Sequence, residues 1–243
     1  MTNIELIKDN IDNLTTLWKT VAIPLLSYHK NDPFEFSQIK NSGWPNRLWS
    51  REDITEENFP LIQEIMEKNP GLVVPYWDIF GSNSKDLFEK NGFHIRIQLV
   101  AMALKLEEKF PLQNNLTFKR VLNKEDAKTW SDIYPLSFSY VISKETLVNN
   151  YENAKFYLVH FEGKAIGTLT LFQTEKTMGI HGVGVVPEMR KRGFAEEIMK
   201  FAINEAIDAK CDYAQLQASA LGKGIYTRLG FEDLFTITNY QLA

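Results

Sequence analysis

The sequence holds a single cysteine, Cys211, so neither an internal disulfide nor a cysteine metal cluster can form, and the chain suits a reducing cytosol. No apolar run approaches the ~18 residues that a membrane span needs. The opening Met1-Thr2-Asn3-Ile4-Glu5 lacks the basic-then-apolar order of a signal peptide. Positive charge is not in surplus either. The 27 Lys and Arg stand against 31 Asp and Glu, a net of −4, which offers no global field for a phosphodiester backbone. Four scattered histidines (His29, His94, His160 and His181) show no His-x-x-x-His spacing, so no metal site is expected. A Gly-x-x-x-x-Gly-Lys-Ser/Thr loop for a nucleoside triphosphate is missing too. What remains is a chain of 243 residues, 44% hydrophobic and 24% charged, the balance of an ordinary globular protein of one large or two small domains. A cytoplasmic location is expected, with no nucleic-acid or membrane partner; a homodimer is left open.

The first half reads as mixed structure. Residues 11–26 space Ile11, Leu14, Leu17, Trp18, Val21 and Leu25 as a helix does. Residues 27–45, punctuated by Pro33, Gly43 and Pro45, read as loop. A second helix is expected over 55–68, stopped by Asn69-Pro70-Gly71, then strands over 72–74 and 93–104. The polar stretch at 108–115 reads as a linker, dividing the chain into 1–107 and 116–243. The second half alternates more cleanly: strand 116–121, helices 124–134 and 143–150, a meander over 155–161, 165–173 and 178–186, and an amphipathic helix over 195–210. Strand 213–216, a short helix 224–229 and a hairpin-like pair over 231–242 complete an α/β (α+β) fold with a mixed central sheet flanked by helices.

Sliding the halves by 138 positions exposes an internal repeat. Asn91-Gly92-Phe93 falls on Leu229-Gly230-Phe231, Phe88 on Tyr226, Leu104 on Leu242, and the helix at 55–68 on 193–206. Leu116 has no counterpart inside the chain, so the first half lacks room for a complete copy.

The strongest chemical signal is Val183-Gly184-Val185-Val186-Pro187-Glu188-Met189-Arg190-Lys191-Arg192-Gly193-Phe194-Ala195, leading straight into a helix. A strand ends at Pro187, Gly193 permits close backbone approach, and the helix start offers unpaired N–H groups that suit a pyrophosphate. The alternative is a solvated basic turn before a surface helix. The ordered run Arg190-Lys191-Arg192-Gly193-Phe194-Ala195 resembles the acyl-CoA signature of the GNAT acetyltransferase superfamily, Arg/Gln-x-x-Gly-x-Gly/Ala. The resemblance covers 116–243 in element order. It implies that Val183, Gly184 and Val185 present backbone to the pantetheine and acyl carbonyl. It also implies that Arg190, Lys191, Arg192, Gly193, Phe194, Ala195 and Glu196 surround the pyrophosphate of acetyl-CoA.

Downstream, Tyr226-Thr227-Arg228-Leu229-Gly230-Phe231 is similar to the family's closing motif, which implies a tyrosine hydroxyl near the coenzyme A sulfur. A phenol can donate a proton to a departing thiolate; the other reading is a ring packed against the sheet. Ser219 and Lys223 match the motif loosely as partners of the pantetheine arm or 3′-phosphate. His181 can serve as base toward an ammonium acceptor or be a packed strand residue, with His160 and Glu162 as weaker candidates. Cys211, where a helix hands over to a strand, reads as buried. Trp44, Trp49, Tyr76, Trp77 and Phe80 read as core, or else as the lining of an acceptor pocket.

The expectation is a tandem protein, a degenerate and truncated GNAT-like first half before an intact transferase. It would move an acetyl group from acetyl-CoA to a small-molecule or peptide amine, by direct attack in a ternary complex and with no metal. The alternative is an inactive acyl-CoA-binding sensor or structural module.

Overall fold

The computed structural model describes residues 2–82, 84–113 and 115–242; Met1, Asn83, Asn114 and Ala243, which fall within the expected segments, lie outside the described residues. Helix α1, Asn3–Ala22, starts well before the apolar periodicity. A capping box sets that start: Thr2 N–H donates to Glu5 Oε2 at 2.7 Å, and Glu5 N–H donates to the Thr2 hydroxyl at 3.3 Å. The segment expected to be loop instead forms strands β1 (Tyr28–Asn31) and β2 (Phe34–Ser37), which join β3 (Arg47–Ser50) in a three-stranded antiparallel sheet. Strands of four residues are too short for alternation to show, and Pro33 disguises the turn between the first two. Helix α2, Phe59–Lys68, begins later than expected, because Thr55 and Asn58 bond each other in a polar turn. Strand β4 (Val74–Trp77), the unforeseen helix α3 (Ser84–Lys90) and strand β5 (Phe93–Lys105) follow.

The second half runs β6 (Thr117–Arg120), α4 (Lys124–Ser137), α5 (Lys144–Val148), β7 (Lys155–Phe161), β8 (Lys164–Thr174), β9 (Thr177–Val185), α6 (Phe194–Asp208), β10 (Tyr213–Ala218), α7 (Lys223–Arg228) and β11 (Glu232–Leu242). The hairpin-like pair expected over 231–242 is one long strand. Bulges at Asp233/Phe235 and Asn239/Tyr240 break its alternation and imitate a turn.

All strands from β4 onward form one sheet, in the order β4-β11-β5-β10-β9-β8-β7-β6. β5 lies between β10 and β11 and is antiparallel to both, while β11 pairs with β4. On the 138-position slide, α2, β4, α3 and β5 fall on α6, β10, α7 and β11, and Leu99 pairs directly with Ile237, its own counterpart. Each of the two long strands thus lies beside the penultimate strand of the other half. The 108–115 segment joins two strands of this sheet and is fastened to α6. There Phe110 N–H donates to Asn204 Oδ1 at 2.8 Å, and Asn204 Nδ2 donates back to Phe110 O at 2.8 Å.

Helix α6 covers one face of the sheet with Ile198, Met199, Ala202, Ile203 and Ala206, all buried. Helices α1 and α4 cover the other, where Leu17, Trp18, Trp130 and Tyr134 meet Phe156 and Leu158. A third cluster, under α2 and α3, packs Phe59, Phe88, Phe93 and Tyr240. Phe88 stacks on Tyr240 with centroids 4.1 Å apart.

Candidate active site

β9 and β10 run parallel but pair only from Thr177/Tyr213 to Gly179/Gln215. Beyond that point they part, β9 continuing to Val185 and β10 to Ala218. The β8–β9 register also shifts between Thr168 and Thr170, next to Gly182 at φ 58°. Gly182 O is taken by the Thr168 hydroxyl at 2.9 Å. Asn10 of α1 reaches the parted strand, its Nδ2 lying 3.5 Å from Leu216 O.

The parting opens on a cavity of about 420 Å³. Ile180, His181, Gly182 and Val183 line it from β9, Leu216 and Gln217 from β10, and Ser219 and Tyr226 from the segment beyond. Tyr134 lines it from α4 and Phe138 and Tyr140 from the segment just after that helix, and the first half supplies Trp18, Trp44 and Arg47. Of the residues expected to carry chemistry, His181, Val183, Ser219 and Tyr226 therefore share one space. Gly184 and Val185 do not line it. A methyl group at Gly184 would meet Ser137 and Phe138 at 2.8 Å, so glycine lets the last turn of α4 lie on β9. Val185 is buried, and its carbonyl accepts from Arg190 Nε at 3.0 Å.

Arg190 Nη2 also reaches Leu136 O at 3.4 Å, so this guanidinium ties the turn after β9 to the strand and to α4. Arg192 lies over the rings of Phe161 and Phe194, 4.9 and 5.1 Å from their centroids. Lys191 and Gly193 both take left-handed backbone, at φ 61° and 80°. Among the described residues no side chain caps α6, and apart from its chain neighbours nothing stands within 4 Å of where a Gly193 Cβ would be. The start of the helix is thus left without a side-chain partner at the positive end of its dipole. Phe194 is buried and Ala195 half-buried. Glu196 bonds Lys200 at 2.9 Å, with Arg228 at 3.6 Å, and these cations hold its carboxyl below the usual range.

Burial pulls the His181 imidazole down to about 4, against a smaller opposing effect of a hydrogen bond with Gln217. The ring is neutral at pH 7. Its Nε2 lies 3.4 Å from Asn13 Oδ1, whose own amide nitrogen donates to Phe172 O and the Thr174 hydroxyl. Burial pushes the Tyr226 phenol up to about 12, so it stays protonated through the neutral range. Its ring rests against Gly222, where a Cβ would approach the hydroxyl to 3.1 Å.

His160 and Glu162 do not line the cavity, and His29 stacks on Phe36. Cys211 is buried, which pushes its thiol pKa up. The first-half aromatics divide. Trp44 faces the cavity, while Trp49, Tyr76 and Trp77 are core. Trp77 stacks on Trp18 at 6.3 Å and donates to Ser50 O at 2.8 Å. Four wall residues were invisible to sequence reasoning: Trp18, Arg47, Tyr134 and Tyr140. Tyr134 and Tyr140 share a hydrogen bond between hydroxyls at 2.8 Å, and burial drives the Tyr134 phenol well above its ordinary value. No spacing announces these residues, since they come from three separate elements and the segment after α4.

A mixed sheet with two parted parallel strands, and a helix springing uncapped from the first of them, is the fold of the GNAT acetyltransferases. Residues 122–231 match the model of the acetyltransferase (GNAT) family. A GCN5-related N-acetyltransferase from Kribbella flavida superposes with a TM-score of 0.66 at 16% identity, over 92% of this chain and 94% of that one. One from Sphaerobacter thermophilus gives 0.62 at 15% identity, over 86% and 76%. A Drosophila protein gives 0.62 at 15% identity, over 100% and 97%. What is shared at such identities is the fold, and it extends through the first-half elements as well. No curated protein matches this sequence.

Proposed function

We propose that the protein is an N-acyltransferase that moves an acetyl group from acetyl-CoA to an amine in a ternary complex. The observation that carries this reading is the parting of β9 and β10 beside the uncapped start of α6. It leaves β9 and β10 unpaired with each other beyond Gly179/Gln215, next to a helix start that no side chain caps. The left-handed residues Lys191 and Gly193 suit a pyrophosphate held by main-chain amides, with Arg192 nearby as a cation. Acetyl-CoA would supply the acyl group as a thioester.

The chain's own contribution is to hold the two reactants together and to manage protons. As the acceptor nitrogen bonds the acyl carbon, the carbon–sulfur bond breaks and the thiolate takes the Tyr226 hydroxyl proton. The acceptor's surplus proton leaves to solvent or to the neutral His181 ring, and the Tyr226 phenolate is restored by a proton from solvent. The weak basicity of so buried an imidazole favours an acceptor that arrives as the free amine.

In the same reading the chain is a tandem of a degenerate GNAT-like unit (1–107), a connection (108–115) and a transferase unit (116–243). The 138-position correspondence of α2, β4, α3 and β5 with α6, β10, α7 and β11 supports it. A screen of amine classes with acetyl-CoA, read by release of free CoA, tests the activity. Amine-dependent release is expected. CoA binding without it would leave a binding module instead.

A further inference from the structure

Among the described residues, Arg47 is the only charged side chain on the cavity wall outside the neutral His181. It comes from β3, a strand of the small first-half sheet, and is half-buried. Its Nη1 donates to the carbonyl of its own neighbour, Asn46, at 2.9 Å, and its guanidinium stands 5.9 Å from the Trp18 ring centroid. No carboxylate reaches it among the described residues. The groups that face it are Tyr134, Tyr140 and a second cation, Arg96, and burial lowers its pKa. Arg51, four positions on, is unlike it: it pairs with Asp12 at 3.1 Å. An enclosed charge without a counterion is costly to keep, and a guanidinium offers a planar fork that fits a carboxylate with two parallel bonds. Leu14, Trp18, Trp44, Ile97 and Phe138 make much of the surrounding wall apolar and aromatic, with Ser139, Gln217 and Asn239 among its polar members.

We propose that Arg47 receives a carboxylate of the acceptor, so that the substrate is a small amino carboxylic acid with an apolar body. This rests on the acyl-transfer reading above. A polyamine would bring cations to a cavity whose charge is already positive, and a protein lysine would bring no carboxylate. The first half would then serve the reaction by choosing the acceptor.

The test uses the full chain with acetyl-CoA, and compares phenylalanine and leucine with phenethylamine and isoamylamine, which differ only by the carboxylate. The parent protein should show kcat/KM at least tenfold higher for the amino acids, and Arg47→Gln should bring that ratio close to one. Arg47→Lys keeps the charge without the fork and should hold an intermediate ratio, which also serves if Arg47→Gln fails to fold. Calorimetry with N-acetylphenylalanine reads the carboxylate seat without turnover, and Arg47→Gln should weaken that binding at least tenfold. Equal rates for acids and amines, or an unchanged ratio in Arg47→Gln, would overturn the proposal while leaving the transferase intact. Arg47-dependent binding of N-acetylphenylalanine with no acetyl transfer to any amine would do the reverse. Absence of both N-acetylphenylalanine binding and acetyl transfer would overturn the proposal.

Discussion

Tyr226 and His181 share a cavity, yet their burial acts on them in different ways. The phenol keeps its proton, because burial penalises the phenolate; the imidazole loses its proton, because burial penalises the cation. Tyr226→Phe keeps the ring and its place on Gly222, so folding and CoA affinity should survive. If the phenol protonates the thiolate, kcat should fall by about 10²–10⁴-fold, measured where chemistry limits turnover. His181 makes a separate prediction for stability. Its folded pKa of about 4 lies below the ~6.5 of an unfolded histidine, so below pH 6.5 the unfolded chain binds a proton that the folded one refuses. The stability present above pH 6.5 should be lost as pH falls toward 4, by up to about 3 kcal/mol from this group. Melting curves of the parent and His181→Gln over that range should converge in slope at high pH and diverge at low pH. Both residues could be read from sequence because they fall within or beside a spaced motif. Arg47 could not, because nothing in a short run of Asn-Arg-Leu-Trp tells where its side chain will lie.

Among the elements, α6 matters most for the proposed donor site. Its start depends on Gly193 at φ 80°, a backbone that side chains with a Cβ rarely adopt. Gly193→Val therefore combines backbone strain of about 1–3 kcal/mol with a branched side chain in the open space before the helix. A lower melting temperature and at least tenfold weaker CoA binding by calorimetry are expected. A folded variant with parental CoA affinity would refute the placement of the pyrophosphate. Most helices and long strands were legible because their apolar spacing spans several turns or repeats, as in α6 and β7–β9. The elements that escaped, β1, β2 and α3, are short enough that local pattern carries little information. Long β11 was misread as two strands because its bulges interrupt the alternation.

For the whole molecule, the placing of β5 between β10 and β11 binds the two halves into one sheet. A fragment of residues 116–243 would expose the edges of both strands where β5 had been, so it should aggregate or dimerise rather than remain a folded monomer. Size-exclusion chromatography with circular dichroism checks this. Only one CoA site per chain is expected. On the slide, the cation-and-glycine run from Arg190 to Ala195 falls on Glu52-Asp53-Ile54-Thr55-Glu56-Glu57. Four carboxylates repel a pyrophosphate, and Asp53 is already engaged by the Ile54 N–H and the Ser84 hydroxyl. A calorimetric stoichiometry near one agrees; two equivalent sites would not.

Periodicity, the glycine-bearing basic turn and the repeat spacing are properties of neighbours along the chain, and they carried the second-half elements, the Arg190–Ala195 motif and the 138-residue correspondence. The cavity has no such local cause. It exists because two parallel strands part after three pairs, because α4 ends on Gly184, and because the first half folds Trp44 and Arg47 against β9. Contacts of this kind join residues far apart in the sequence, as Asn10 meets Leu216 across 206 positions. Side chains that meet at such range are chosen by packing of the finished sheet, so the cavity wall, Arg47 included, could be seen only once the chain had folded.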